Sequence, residues 1–326
     1  MNVLVTGGGG FIGSALAREL IKNNFTVTSF SRGDYPELRK AGIRIIRGDI
    51  TDLEQVIKAE DNIEVVFHVA AKAGISGSYN EYYAVNVTGT GNILQACRLR
   101  GIKYLIYTSS ASVVFDGKDI CGADESLPYP LKPVSHYTAT KAIAEQMVLH
   151  ANSPDMRTIA LRPHLVYGPG DIHLLPRILL AAKTGRLMRI GKGRNLIDVS
   201  YIDNVVAAHL KALLAIQSNT EAAGKAYFIT NGEPVVLWDF MNELLISSGY
   251  NTVNKSVPET IAFLIAGLME SFHNLFRGSA EPLLTRFLVR ELSRSHWFNI
   301  SRARNSLNYN PEISNKGGLE KMSAYV

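Results

Sequence analysis

Cysteine is nearly absent from this chain. Cys97 and Cys121 are its only two among 326 residues, a count that builds neither a disulfide framework nor a thiolate metal cluster. That scarcity suits a reducing cytosol. Long hydrophobic runs are missing too. The longest, IAFLIAGLM at 261–269, has nine residues, whereas a bilayer-crossing helix needs about 20. It can rest on a membrane or line a greasy pocket, but it does not span. No basic leader precedes the strand-like Val3-Leu4-Val5, so no targeting segment is read. Charged residues make up only 19%, and the net charge of +5 is not gathered in a tail. This gives nucleic acid no footprint and leaves room for an anionic ligand or a membrane surface. Repeats and low-complexity tracts are absent as well.

What the chain does have is rhythm. Short apolar runs at 2–6, 25–30, 43–48, 64–70, 103–109 and 158–163 read as buried parallel strands. Helical patterns such as GSALARELIKN, LEQVIKAE and VTGTGNILQACRLRG lie between them. Strand and helix in alternation predict an α/β fold, a doubly wound parallel sheet of Rossmann type. A further strand, AYFIT at 226–230, belongs to the same pattern. The spacing predicts a dinucleotide-binding domain over 1–170 plus 199–231. A smaller, mostly helical substrate-binding domain is expected over 171–198 plus 232–326.

The first strand runs straight into TGGGGFIGSALAREL. Gly7, Gly10 and Gly13 fall at G-x-x-G-x-x-G between a strand and a helix. Glycines there permit a tight turn and a close approach of diphosphate to backbone, with the helix N-terminus facing the negative charge. Phe11 and Ile12 open that helix and join the expected cofactor contacts. At the end of the second strand, SFSRGDY places Ser31 and Arg32 where NAD-preferring sites usually put a carboxylate. A guanidinium and a hydroxyl would hold a 2′-phosphate, so NADP(H) is expected. Asp34, slightly downstream, leaves NAD(H) possible. Asp49 and Ile50, after the third strand, are placed to meet the adenine. Asp49 reads equally well as the cap of the helix that follows, a role for which Asp52 competes.

HYTATK at 136–141 puts Tyr137 four residues before Lys141, on one face of a helix. The strand at 103–109 ends in Thr108-Ser109-Ser110, at the sheet edge where ligands bind in such folds. A serine hydroxyl, a phenol and an ammonium converge there. An ordinary tyrosine, with a pKa near 10, is a poor proton carrier at neutral pH. A neighbouring ammonium and a cationic nicotinamide are expected to lower it. His136 reads as a solvent-facing helix start, and His68 as a satisfied core residue. Gly191-Lys192-Gly193 lacks the hydroxyl of a phosphate loop, and no metal site is expected.

Together TGGGGFIG, HVAAKAG, NVTGTGNIL, YTSSASVVF, YTATK and LRPHLVYGPGD resemble the extended short-chain dehydrogenase/reductases over nearly the whole chain. Within them the chain is similar to the 3β-hydroxysteroid and sterol-4-carboxylate dehydrogenase branch. DYPELRKAGIRIIRGDI, AAKAGISGSYNEYY and LLTRFLVRELSRSHWF are more similar to the bacterial 2-alkyl-3-oxoalkanoate reductases of olefin and β-lactone synthesis. The resemblance implies that Tyr137 is the proton donor, Lys141 its partner and Ser110 the orienting hydroxyl. It implies Asn86 as a supporting residue. Ala70, Ala71, Lys72, Thr108, Ser109, Pro163 and Leu165 would be further cofactor contacts. The implied substrate is a hydrophobic 2-alkyl-3-oxo acid, with a 3β-hydroxysteroid or sterol carboxylate as the alternative. The third reading is a nucleotide-sugar epimerase or a non-catalytic dinucleotide binder. A homodimer is implied by the same likeness. Arg286, Arg290 and Arg294, at i, i+4 and i+8, are read as one basic stripe. Such a stripe is either a solvated helix face or a docking surface for a partner enzyme or acidic lipid.

Overall fold

The computed structural model describes residues 1–59, 62–74, 77–172, 175–276 and 284–323. Seven strands form its central sheet: β1 (Asn2–Thr6), β2 (Thr26–Ser31), β3 (Arg44–Arg47), β4 (Val65–His68), β5 (Tyr104–Thr108), β6 (Arg157–Pro163) and β7 (Ala226–Ile229). All neighbours pair in parallel, in the order β7-β6-β5-β4-β1-β2-β3. The order reverses between β1 and β4. That switch leaves a crevice at the carboxyl edge, where the strand ends of a doubly wound sheet receive ligands.

Both faces of the sheet are buried because the strands are apolar on both sides, as parallel strands must be. Val3, Val5, Val27, Phe67, Ile106 and Leu161 point into one core, with Leu16 and Leu20 of helix α1 (Phe11–Lys22). Leu4, Phe30, Val66, Leu105 and Ala160 point into the other, with Ile93 and Cys97 of α2 (Gly89–Arg100) and Ala144 and Val148 of α3 (His136–His150). The alternation of side chains along each strand produces the two cores. Helix α4 (Ile202–Ser218) closes the first core with Val205 and Ala212.

Beyond the sheet, the C-terminal part is less purely helical than its sequence suggests. Four short strands (Val235–Val236, Leu196–Ile197, His296–Phe298 and Ile120–Ala123) form a second sheet. Its last strand comes from the segment between β5 and α3. Helices α5 (Glu259–Phe276) and α6 (Arg286–Ser293) pack against each other beside it. The arginine stripe is corrected here. Arg286 and Arg290 lie on α6, but Arg294 has left the helix with φ −100° and ψ 154°. Arg286 pairs with Glu270 at 2.6 Å and Arg294 with Glu259 at 2.5 Å. The Arg290 guanidinium sits 5.3 Å from the Phe263 ring centroid and donates to the Gly117 carbonyl. The three cations strap α6 to α5 rather than form one solvated face.

Candidate active site

The glycine turn is built as its spacing predicts. Gly7 has a φ of +68°, a left-handed conformation that favours glycine, and an added Cβ would lie 2.8 Å from the Ala70 Cα. At Gly13 a Cβ would meet the Gly7 carbonyl oxygen at 2.2 Å, so α1 can start close under the turn only without one. Gly10 N–H donates to Gly7 O at 2.9 Å and closes the loop. No side chain caps the N-terminus of α1, which begins at Phe11 and Ile12. Thr6 Oγ1 accepts from the Ala70 and Val69 amides and so ties the loop after β4, with Ala71 and Lys72, to the turn.

At the end of β2 the Ser31 hydroxyl is buried without a hydrogen-bond partner, as is the Ser109 hydroxyl after β5. Buried orphan hydroxyls are uncommon and point to a group that would satisfy them. Together with the glycine cradle they fit a bound dinucleotide. Arg32 is exposed, and Arg47, the register partner of Ser31 on β3, donates to the Arg32 carbonyl. Asp34 is spent in an ion pair with Arg39 at 2.8 Å. Asp49 does not cap the helix Leu53–Ala59. It accepts from Thr51 in a local turn, while Asp52 accepts from the Gln55 amide at 3.1 Å and does the capping. Ile50 packs under α2, where a Cβ on Gly89 would touch it at 2.6 Å.

Helix α3 carries Tyr137 and Lys141, and a capping box fixes its start: Ser135 and Thr138 exchange side-chain-to-backbone bonds. Both predicted groups reach the end of β5. The Tyr137 phenol lies close enough to Ser110 for that hydroxyl to pull on its proton, and the Ser110 Oγ lies 2.8 Å from Ser112 Oγ. Lys141, buried, donates from Nζ to the Thr108 carbonyl at 2.6 Å and lies 4.1 Å from the Tyr107 ring centroid. Asn86 lies in a π-helical stretch, Ala84–Thr88, a distortion frequent at functional sites. Its amide bonds Lys72 N at 2.7 Å, Lys72 O at 3.1 Å and Thr140 Oγ1 at 3.0 Å. One side chain therefore holds the loop after β4 against α3. Leu165, just beyond Pro163 at the end of β6, has a φ of +40°, a strained value for a branched residue.

Burial moves both groups away from their ordinary values. Burial raises the Tyr137 phenol, Ser110 offsets part of that rise, and the Glu291 carboxylate raises it further. Burial drives Lys141 down to about 7, against the pull of Glu145. For both groups desolvation is the largest cause.

Sequence reasoning missed the supporting groups. Glu145, one turn beyond Lys141, takes both prongs of Arg162 at 2.6–3.1 Å and the Tyr129 hydroxyl at 2.6 Å. The i, i+4 spacing from Lys141 could have found it. Glu291 arrives from α6, and no local signal announces it. Behind it, His296 Nε2 must donate to the Glu291 carbonyl at 2.7 Å, because a carbonyl only accepts. Its Nδ1 lies 2.6 Å from His164 Nε2, so the two rings share one hydrogen bond. His68 is fully buried between Thr6 and Thr90, and His136 is exposed beside Tyr79, as their positions in the sequence suggest.

A family model for the 3-beta hydroxysteroid dehydrogenase/isomerase family matches residues 4–258. The chain belongs to that family. Among curated relatives, a 2-alkyl-3-oxoalkanoate reductase of Stenotrophomonas maltophilia is 44% identical over 99% of both chains. The human sterol-4-alpha-carboxylate 3-dehydrogenase, decarboxylating, is 33% identical over 97% of this chain and 86% of its own length. Among solved structures, UDP-glucuronic acid 4-epimerase from Bacillus cereus in complex with NAD superposes with a TM-score of 0.75. It is 25% identical and matched over 100% of this chain and 98% of that one. Membership of this dehydrogenase family makes the chain an oxidoreductase on a Rossmann-type fold, as expected. Among the described residues, no helix is long and apolar enough to cross a membrane.

Proposed function

We propose that this protein reduces the 3-oxo group of a 2-alkyl-3-oxoalkanoic acid to the 3-hydroxy acid, with NADPH as preferred reductant. The observation that carries the reaction type is the meeting of Tyr137 with Ser110 at the end of β5, beside Lys141 on the Thr108 carbonyl. Full-length likeness to the bacterial reductase supports the substrate class. When bound, a nicotinamide dinucleotide supplies the hydride. Ser110 orients the ketone oxygen, and Tyr137 gives its proton to that oxygen as negative charge develops there. A phenol kept protonated by burial and by Glu291 is suited to donation. Lys141 holds its position through the strand carbonyl and returns a proton towards the tyrosine.

Gly7, Gly10 and Gly13 would take the diphosphate, while Ser31 and Arg32 would take the 2′-phosphate. Arg47 stands beside them, and with Asp34 paired to Arg39 no free carboxylate among the described residues of this rim opposes that phosphate. The remaining predicted contacts, from Asp49 and Ile50 to Ala70, Ala71, Pro163 and Leu165, line the same carboxyl edge by their places at the strand ends. We keep the division of the chain into a nucleotide domain and a substrate domain, with the strand Ile120–Ala123 lent to the second. Likeness to the sterol carboxylate enzymes favours one other reading, a steroidal substrate carrying the same carboxyl-next-to-carbinol unit.

The deciding assay follows nicotinamide oxidation with NADPH and NADH against a long-chain 2-alkyl-3-oxo acid, a 3-oxosteroid and a UDP-sugar. The oxo acid with NADPH should be fastest. Faster turnover of the steroid, or of the sugar, would replace this reading with the corresponding alternative.

A further inference from the structure

Helix α5 presents an apolar stripe to solvent. Ile261, Leu264, Ile265, Leu268 and Phe272 are 48%, 69%, 43%, 73% and 65% exposed, and their spacing keeps them on one face. Its other face is occupied: Ala262 and Ala266 are buried, and Phe263 meets Arg290. Single exposed apolar side chains are ordinary, but a row of five on one helix marks an interaction surface.

Charge indicates the occupant. The only two carboxylates of α5, Glu259 and Glu270, are each neutralised by an arginine, Arg294 and Arg286. The stripe therefore carries no free negative charge. Just before α5, Ser256–Val257 pairs with Arg189–Ile190 in a two-stranded ribbon. Around that ribbon Lys183, Arg186, Lys192, Arg194 and Lys255 are all exposed, and none has a carboxylate partner among the described residues. An apolar row that departs from a basic ribbon is the pattern of an interfacial helix on an anionic bilayer. A second copy fits less well, since a two-fold contact through this patch would bring like-charged ribbons together.

We propose that α5 and the basic ribbon form a membrane-docking face for an anionic phospholipid surface. Contact with the interior is short. α6 lies against α5 and against the ribbon, and it also carries Glu291 to the Tyr137 site. Docking would therefore set the site one helix away from a lipid phase that holds long-chain substrates.

The test is flotation of the full chain with vesicles of phosphatidylcholine alone or with about one third phosphatidylglycerol. The protein should float with the mixed vesicles, less so at high salt, and hardly at all with phosphatidylcholine. Leu264→Glu/Leu268→Glu and, separately, Lys192→Glu/Arg194→Glu should each cut recovery by about tenfold. Both pairs lie on the surface, so melting temperature and turnover of a short, water-soluble oxo acid should stay as in the wild type. Equal flotation of wild type and both variants would overturn the proposal, as would wild type that stays in the dense fraction. So would a Leu264→Glu/Leu268→Glu chain that falls from dimer to monomer on gel filtration, because the stripe would then be a contact between copies.

Discussion

At the scale of single residues, the decisive pair is Tyr137 and Lys141, and the two act differently. Tyr137→Phe removes a single hydroxyl near Ser110 from a partly buried site, and stability should change by no more than about 1 kcal/mol. Loss of the proton donor should lower kcat by roughly 10²–10⁴-fold. Nucleotide binding, read by fluorescence titration, should stay close to that of the wild type, because in the proposed reaction the phenol serves the ketone oxygen. Lys141 is a matter of linkage. Its folded pKa, about 7, lies below its unfolded value of 10.5. Below pH 7 both states carry the proton, so the cost of a buried ammonium is fully present. Between the two values only the unfolded chain holds the proton, and stability rises with pH by up to about 1.4 kcal/mol per unit. Lys141→Met should therefore exceed the wild type in stability most at pH 6 and lose that lead towards pH 9.5. Urea midpoints across that range would decide it, and parallel curves would count against a neutral lysine.

Among the secondary-structure elements, α3 and β6 are joined by the buried pair Glu145–Arg162, with side-chain exposures of 0% and 3%. A buried pair contributes little net stability, yet breaking it is costly because one charge is left without its partner. Arg162→Met should lose about 3–5 kcal/mol in urea unfolding, and adding Glu145→Leu should recover most of that. This pair also shows where the sequence is legible. The strands at 2–6, 25–30, 43–48, 64–70, 103–109 and 158–163 were readable to within a residue or two because each is a short stretch centred on apolar or β-branched residues between turns. HYTATK was readable because helical periodicity places its tyrosine and lysine together. The strand His296–Phe298 was not, since three residues carry no usable periodicity. Nor was the departure of Arg294 from α6, which depends on its tertiary pairing with Glu259. Glu145 lay within reach of the same helical spacing. Glu291 did not, because only the packing of the C-terminal helices brings it to Tyr137.

Across the whole molecule, the proposed cofactor site would join parts that the chain keeps far apart: the turn after β1, the rim of β2 and β3, and the ends of β5 and β6. A ligand that binds only the folded state stabilises it by mass action, by about 2.7 kcal/mol at a hundredfold excess over Kd. NADPH should therefore raise the melting temperature. How much more it does so than NADH measures what the rim adds. Arg32→Asp replaces an attraction for the 2′-phosphate with a repulsion and leaves Ser31, Arg47 and the glycine turn in place. A charge-assisted hydrogen bond contributes about 1.5–3 kcal/mol, so the ratio of kcat/KM for NADPH over NADH should fall by roughly 10²-fold. The shift in melting temperature with NADPH should shrink in step, while that with NADH should change little. If both nucleotides lost affinity equally, Arg32 would be holding the diphosphate or adenine, and the preference for NADPH would have to come from Arg47 or from outside this rim.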